Sequence, residues 1–115
     1  KTAYEIYQCD WSSDVCSSDL RIRHGLILDI LKSMPEREIF DFVLIDADKE
    51  NIKKYFDLVL PMVKVGGIIA TDNILLPKKY QKFMHGYTKH IKSNKNVVTG
   101  TIPLGYGQEI TIRIS

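Results

Sequence analysis

The sequence predicts a mixed α/β fold, a parallel sheet closed by an antiparallel C-terminal hairpin, and three observations carry that expectation. First, Phe40-Asp41-Phe42-Val43-Leu44-Ile45 and Gly66-Gly67-Ile68-Ile69-Ala70-Thr71 are short apolar runs of the kind that form buried parallel strands. Each stops abruptly at polar residues, Asp46-Ala47-Asp48-Lys49 after the first and Asp72-Asn73 after the second. Second, the stretch between them sets Ile52, Tyr55, Phe56, Val59, Leu60 and Val63 on one face of a helix over 51–63. Third, Gln108 to Ile114 alternates, with Ile110, Ile112 and Ile114 on one face, after a five-residue turn, Pro103-Leu104-Gly105-Tyr106-Gly107.

A strand, a helix and a second strand make a crossover that is almost always right-handed. Both strands then run parallel, and their carboxyl ends emerge at one edge of the sheet. Open α/β sheets bind ligands at that edge. Asp46, Asp48, Lys49, Asp72 and Asn73 are therefore candidates for one polar site built from two loops. On a purely structural reading Asp46 and Asp72 cap helices or accept hydrogen bonds from loop amides, and Lys49 pairs with Glu50 at the surface.

Taken in order, the elements start near Arg21. His24-Gly25 reads as a strand end and turn, followed by a short helix from Leu26 to Met34 with Leu26, Ile27, Ile30 and Leu31 inward; Pro35-Glu36-Arg37-Glu38 closes it. Strands are expected over 40–46 and 66–71, with Gly66-Gly67 as the turn into the second. Pro77 marks a loop. Over 78–93, Tyr80, Phe83, Met84, Tyr87 and Ile91 define the apolar face of a helix, opposite Lys78, Lys82, Lys89, Lys92 and Lys95. The aromatic and methionine stripe reads as core and the lysine face as solvated, or as a docking surface for an anionic substrate. Strands over 97–102 and 108–114 complete the sheet.

At 115 residues the chain fits one domain at most, and 44% hydrophobic with 26% charged residues is ordinary for a globular protein. The first twenty residues stand apart. They hold Cys9, Cys16, Trp11, four serines and four acids without a period of 2 or 3.6, and Asp10-Trp11-Ser12-Ser13-Asp14-Val15-Cys16-Ser17-Ser18-Asp19-Leu20 resembles a translated sequencing adapter. Residues 1 to 20 are set aside as a non-native scar or disordered linker, expected to pack poorly and line no pocket. Without their one Lys and four acids, 15 basic and 10 acidic side chains remain, a net of +5. That is too sparse for a nucleic-acid patch. With both cysteines set aside, neither a disulfide framework nor a metal-thiolate spacing is left. No apolar stretch approaches the about 18 residues of a membrane span and no secretory signal opens the chain, so a soluble, cytoplasmic protein is expected.

The pair Ile45-Asp46-Ala47-Asp48-Lys49-Glu50-Asn51 and Val65-Gly66-Gly67-Ile68-Ile69-Ala70-Thr71-Asp72-Asn73, with 26 residues from Asp46 to Asp72, is followed by a hairpin containing Ile102-Pro103-Leu104-Gly105. This combination resembles the C-terminal half of the divalent-cation-dependent O-methyltransferases, the caffeoyl-CoA and catechol enzymes, from about Gly25 to Ile114. The resemblance implies part of a Rossmann-like methyltransferase sheet over 21–115, its antiparallel last strand inserted between two parallel ones. It implies S-adenosylmethionine as cofactor, with Gly25 and Asp46 as cofactor contacts. By the same carry-over Asp46, Asp72 and Asn73 hold Mg²⁺ or a similar divalent cation, and Lys49 is the general base. A small-molecule hydroxyl acceptor, phenolic or catecholic, and a homodimeric parent enzyme go with it. The chain departs from the family in lacking the glycine-rich loop and the ribose-binding acid of the first strands, in Leu26 after the glycine, and between Ile74 and Lys79. The literal chain then reads as an inactive fragment.

Independently of the resemblance, oxygen ligands with open positions suit Mg²⁺ or Mn²⁺. A dication acidifies a hydroxyl, and a nearby lysine can take the proton. Two rival readings stand beside this one. Asp46-Ala47-Asp48 at a strand end also resembles the nucleophile pair of haloacid-dehalogenase-like phosphotransferases, although Glu50 stands where that family expects threonine. The other rival is a non-catalytic orphan half-domain.

Overall fold

A computed structural model describes residues 3–4, 22–34 and 40–115, which fall into two compact units, 1–34 and 35–115. In the first, β1 (Ala3–Tyr4) pairs antiparallel with β2 (Gly25–Leu26), and α1 (Ile27–Ser33) follows. The helix is one residue shorter at each end than its apolar pattern suggests, because Leu26 and Met34 are extended. Asp29 in its first turn and Lys32 in its last complement the helix dipole. Leu26 is exposed, whereas Ile27, Ile30 and Leu31 are half-buried. Apart from the backbone of Ala3 and Tyr4, the stretch set aside as a scar, including Trp11 and Val15, lies outside the described residues.

The second unit is a four-stranded sheet in the order β3 (Phe40–Ile45), β4 (Val63–Thr71), β6 (Gln108–Arg113), β5 (Val97–Ile102). Strands β3 and β4 are parallel, and β6 runs antiparallel to both β4 and β5. The last strand thus sits between two earlier ones, as the family resemblance implies. The expected helix over 51–63 splits into α2 (Ile52–Val59) and a 3₁₀ turn, Leu60–Met62. Pro61 has no N–H to continue the ladder, so the chain tightens there and Val63 already opens β4. Arg113 Nη1 satisfies the carbonyls left over, donating to Leu60 O at 3.2 Å and Val63 O at 2.6 Å.

Gly66-Gly67 proves to be a bulge inside β4 rather than the turn before it. Phe40 pairs with Val63 but Phe42 with Ile68, so β4 carries extra residues at that point. A Cβ on Gly67 would stand 2.6 Å from Val63 Cγ1, 2.9 Å from Lys64 O and 3.0 Å from Asp41 O. Gly67→Ala is accordingly expected to cost about 1–3 kcal/mol of stability, read as a lower urea midpoint with an unchanged m value.

Residues paired across the sheet share a face. On the helix side lie Ile45, Ile69, Thr71, Glu109 and Thr111, all buried. They pack under Ile52, Tyr55, Phe56 and Val59 of α2 and Met84, Tyr87 and Ile91 of α3 (Gln81–Lys92). Phe56 meets Tyr87 edge to face at 5.9 Å, an arrangement adding about 0.5–1.5 kcal/mol to area burial. Phe83, expected in the stripe, is exposed: it sits about 100° round the helix from Met84, outside the seam Met84-Tyr87-Ile91. Buried Tyr87 shares a 2.6 Å hydrogen bond with Thr71 Oγ1. Desolvation, reinforced by the nearby Glu109 carboxylate and opposed by that hydrogen bond, pushes its hydroxyl well above the ordinary tyrosine value, so it stays neutral. The opposite face of the sheet carries exposed Phe42 (57%), Leu44 (58%), Val98 (51%) and Ile112 (37%).

Candidate active site at the carboxyl ends of strands β3 and β4

Register brings the two acidic loops together. Ile45 pairs with Thr71, so Asp46 and Asp72 leave the sheet from adjacent strand ends at the same edge. Thr71 is also the register partner of Glu109 on β6, which seats Gln108 beside Asp72.

The loop after β3 divides its residues between two tasks. The Asp46 side chain is largely exposed, and its Oδ1 lies 3.9 Å from Nζ of Lys49, whose own side chain is buried. Lys49 is therefore not a surface partner of Glu50 but a sequestered amine facing the Asp46 carboxylate. Asp48, on the same loop, is engaged by the protein through both of its oxygens. Its Oδ1 accepts from the Tyr55 hydroxyl and its Oδ2 from Asn51 Nδ2 at 2.8 Å, so it ties the loop to the start of α2. Tyr55→Phe is expected to cost about 1.5–3 kcal/mol through loss of a hydrogen bond to a charged acceptor, again read from urea unfolding.

The loop after β4 is held from several directions. Asp72 Oδ1 accepts from Asn73 N at 2.7 Å and from Gln108 Nε2 at 2.5 Å. The loop-amide reading of Asp72 thus holds for one of its oxygens. Asn73 adopts φ +64°, a left-handed conformation that asparagine tolerates, and its Nδ2 donates to Leu76 O at 3.2 Å. Its side-chain oxygen remains as an acceptor. Beyond it, Ile74 N donates to Gly107 O at 3.1 Å, and Leu75 N and Leu76 N both donate to Tyr106 O, at 2.9 and 3.1 Å. Gly107 (φ +88°) has no room for a side chain, since a Cβ would stand 2.6 Å from Leu75 Cγ.

The donors fit a hard divalent cation in kind: two carboxylates and one amide oxygen on neighbouring loops. Among the described residues no group of three or more His, Cys, Asp or Glu side chains converges, so the amide of Asn73 is needed to complete a set of three. A cavity of about 450 Å³ adjoins the site through Ile74 and is lined further by Leu75, Gln81, Lys82, Met84, His85, Thr88 and Thr101. None of Asp46, Lys49, Asp72 or Asn73 lines it. Gly25 lies in β2, paired with Tyr4, within the first compact unit.

Residues 1–113 match the family described as O-methyltransferase. The chain belongs to that family. It is 31% identical to caffeoyl-CoA O-methyltransferase 1 of Zea mays over 111 residues, covering 80% of this chain and 43% of that protein. It is 49% identical to flavonoid 3',5'-methyltransferase of Vitis vinifera over 51 residues, 44% of this chain and 22% of the relative. Among solved structures, the O-methyltransferase from Bacillus cereus in complex with SAH superposes with a TM-score of 0.69 at 25% identity, over 79% of this chain and 49% of that one. The chain therefore spans less than half the length of each of these relatives. No described helix is long and apolar enough to cross a membrane.

Two residues of this constellation escape the sequence reading. Tyr55 reads as core, which it is, but its hydroxyl also anchors Asp48. Gln108 opens the alternating C-terminal strand. Its position beside Asp72 follows once that strand is inserted next to β4, and the register is the signal that could have found it.

Proposed function

We propose that this chain supplies the acid-bearing side of an S-adenosylmethionine-dependent O-methyltransferase in which a divalent cation assists methyl transfer to a phenolic or catecholic hydroxyl. The observation that carries the reading is the alignment of Asp46 and Asp72 on adjacent strand ends, with Asn73 next in the chain. The Zea mays and Vitis vinifera relatives are methyltransferases by name, and the Bacillus cereus structure holds SAH, which supports the cofactor.

In this reading Asp46, Asp72 and Asn73 hold the ion through oxygen atoms. A bound Mg²⁺ supplies Lewis acidity that lowers the pKa of the acceptor hydroxyl, ordinarily about 10 for a phenol. Lys49 takes the hydroxyl proton at Nζ. S-adenosylmethionine, when bound, would supply an electrophilic methyl group on its sulfonium for the deprotonated acceptor oxygen. Burial of Lys49 keeps bulk water from competing for the proton.

The chain itself is proposed to be one part of a larger domain working in the cytoplasm. It covers 43% and 49% of the maize and Bacillus proteins, and β3 pairs with β4 on one side only among the described strands. The apolar face around Phe42, Leu44, Val98 and Ile112 is the surface such a remainder would cover. Two measurements test the reading. The complete parent protein should methylate a catechol in a reaction that EDTA stops and Mg²⁺ restores, whereas this chain alone should bind SAH weakly and transfer no methyl group. Metal-independent turnover by the parent would overturn the cation's role, and full activity of the chain alone would overturn the division of the domain.

A further inference from the structure

We propose that Gln108 is a positioning residue for Asp72, fixing the carboxylate so that one oxygen is engaged by the protein and the other is presented to the cation. The inference rests on the metal reading above and adds a residue that the resemblance does not assign. A carboxylate can only accept hydrogen bonds, so it is the amide of Gln108 that donates, through Nε2, to Asp72 Oδ1 at 2.5 Å. Asn73 N donates to the same oxygen at 2.7 Å. Among the described residues Oδ2 has no hydrogen-bond partner. Two donors on one oxygen define the carboxylate's rotation, whereas one backbone donor would leave it free to swing about that contact.

Gln108 can do this because its own place is over-determined. Its neighbour Glu109 is fully buried, with Oε2 and Oε1 accepting from the hydroxyls of Thr99 and Thr101, both at 2.5 Å. Those bonds pin the start of β6 across β5. On the other side of Gln108, the Tyr106-Gly107 turn is stapled to the loop after Asn73 by three backbone hydrogen bonds, and Gly107 packs directly on Leu75. Hairpin turn and acidic loop therefore form one body, and Gln108 is its side-chain link to Asp72. Hydrogen-bond partners behind metal ligands characteristically change affinity by about 10–100-fold when removed.

The test is Mn²⁺ binding to this chain, followed by the loss of the free-ion EPR signal, with circular dichroism and thermal melts run without metal. Wild type is expected to bind Mn²⁺ and Asp72→Asn to lose most of that affinity. Gln108→Met, nearly isosteric but without a donor, should bind about 10–100-fold more weakly while its metal-free melting temperature stays close to wild type. Gln108→Asn, polar but too short to reach Asp72, should behave the same way, and it decides the matter if Gln108→Met does not fold. If wild type binds and Asp72→Asn does not, yet folded Gln108 variants bind within about twofold of wild type, the positioning role is overturned and the metal reading survives. If wild type takes up no Mn²⁺, or Asp72→Asn binds as well as wild type, the metal assignment at Asp72 fails and the role of Gln108 fails with it.

Discussion

Asp72→Ala is expected, under the proposed cation-assisted methyl transfer, to remove nearly all turnover of the proposed larger enzyme, and no other single change at this site should have a larger effect. In the proposed mechanism a bound ion's Lewis acidity would be worth several kcal/mol of transition-state stabilisation, which at about 1.4 kcal/mol per tenfold corresponds to about two to three orders of magnitude in rate. Asp72 contributes one of the two carboxylates proposed as ligands, and the alanine variant also strands the donors that converge on it, Asn73 N and Gln108 Nε2. The loss should therefore appear in kcat and in the Mg²⁺ concentration needed for half-maximal activity. Thr71 beneath it is buried and bonded to Tyr87, and Asp72 lies just past the strand, so the sheet should survive and circular dichroism should change little. Steady-state kinetics across a Mg²⁺ titration, compared with an EDTA-treated control, make the measurement. Methyl transfer that ignores both chelation and Asp72→Ala would overturn the metal assignment while leaving family membership intact.

How much of this was legible in the sequence depends on the kind of interaction. Buried parallel strands announce themselves as apolar runs, and Ile45 and Thr71 are the last residues of theirs, so the shared edge carrying Asp46 and Asp72 could be read directly. The hairpin was equally plain, because a five-residue turn leaves room for nothing but an antiparallel return. Periodicity, however, reports which side of an element is buried and says nothing about which polar groups meet. Asp48 looked equivalent to Asp46, yet Tyr55 and Asn51 capture it one turn into α2. Gln108 stands 36 residues from Asp72 and meets it only because β6 is inserted beside β4. Gly66-Gly67 carries a true signal with two possible devices: the pair marks close backbone approach in a bulge, and a turn would draw on the same residues. Phe83 fitted a helical stripe by spacing but fell just outside the arc that the sheet covers.

Lys49→Ala should part company with Asp72→Ala in a way that separates a base from a ligand. A positioned general base contributes about 10²–10⁴-fold, so if Lys49 has the proposed role, kcat of the proposed larger enzyme is expected to fall by that order. Metal affinity should not fall with it. Nζ of Lys49 stands 3.9 Å from Asp46 Oδ1 and is not among the proposed oxygen ligands. A base acts on the proton and not on the ion, so Mn²⁺ should bind about as tightly as in wild type. Because Lys49 is buried, the alanine variant leaves a space the size of an alkylamine beside Asp46, and added ethylamine or propylamine should restore part of the lost rate. A merely structural lysine would give the opposite pattern, with affinity and turnover falling together, a lowered melting temperature and no rescue by amines. Kinetics with and without added amine, set beside Mn²⁺ titration of the same variant, decide between the two. Parallel loss of metal binding would move Lys49 from proton acceptor to scaffold and leave the acceptor's proton to be taken by another group.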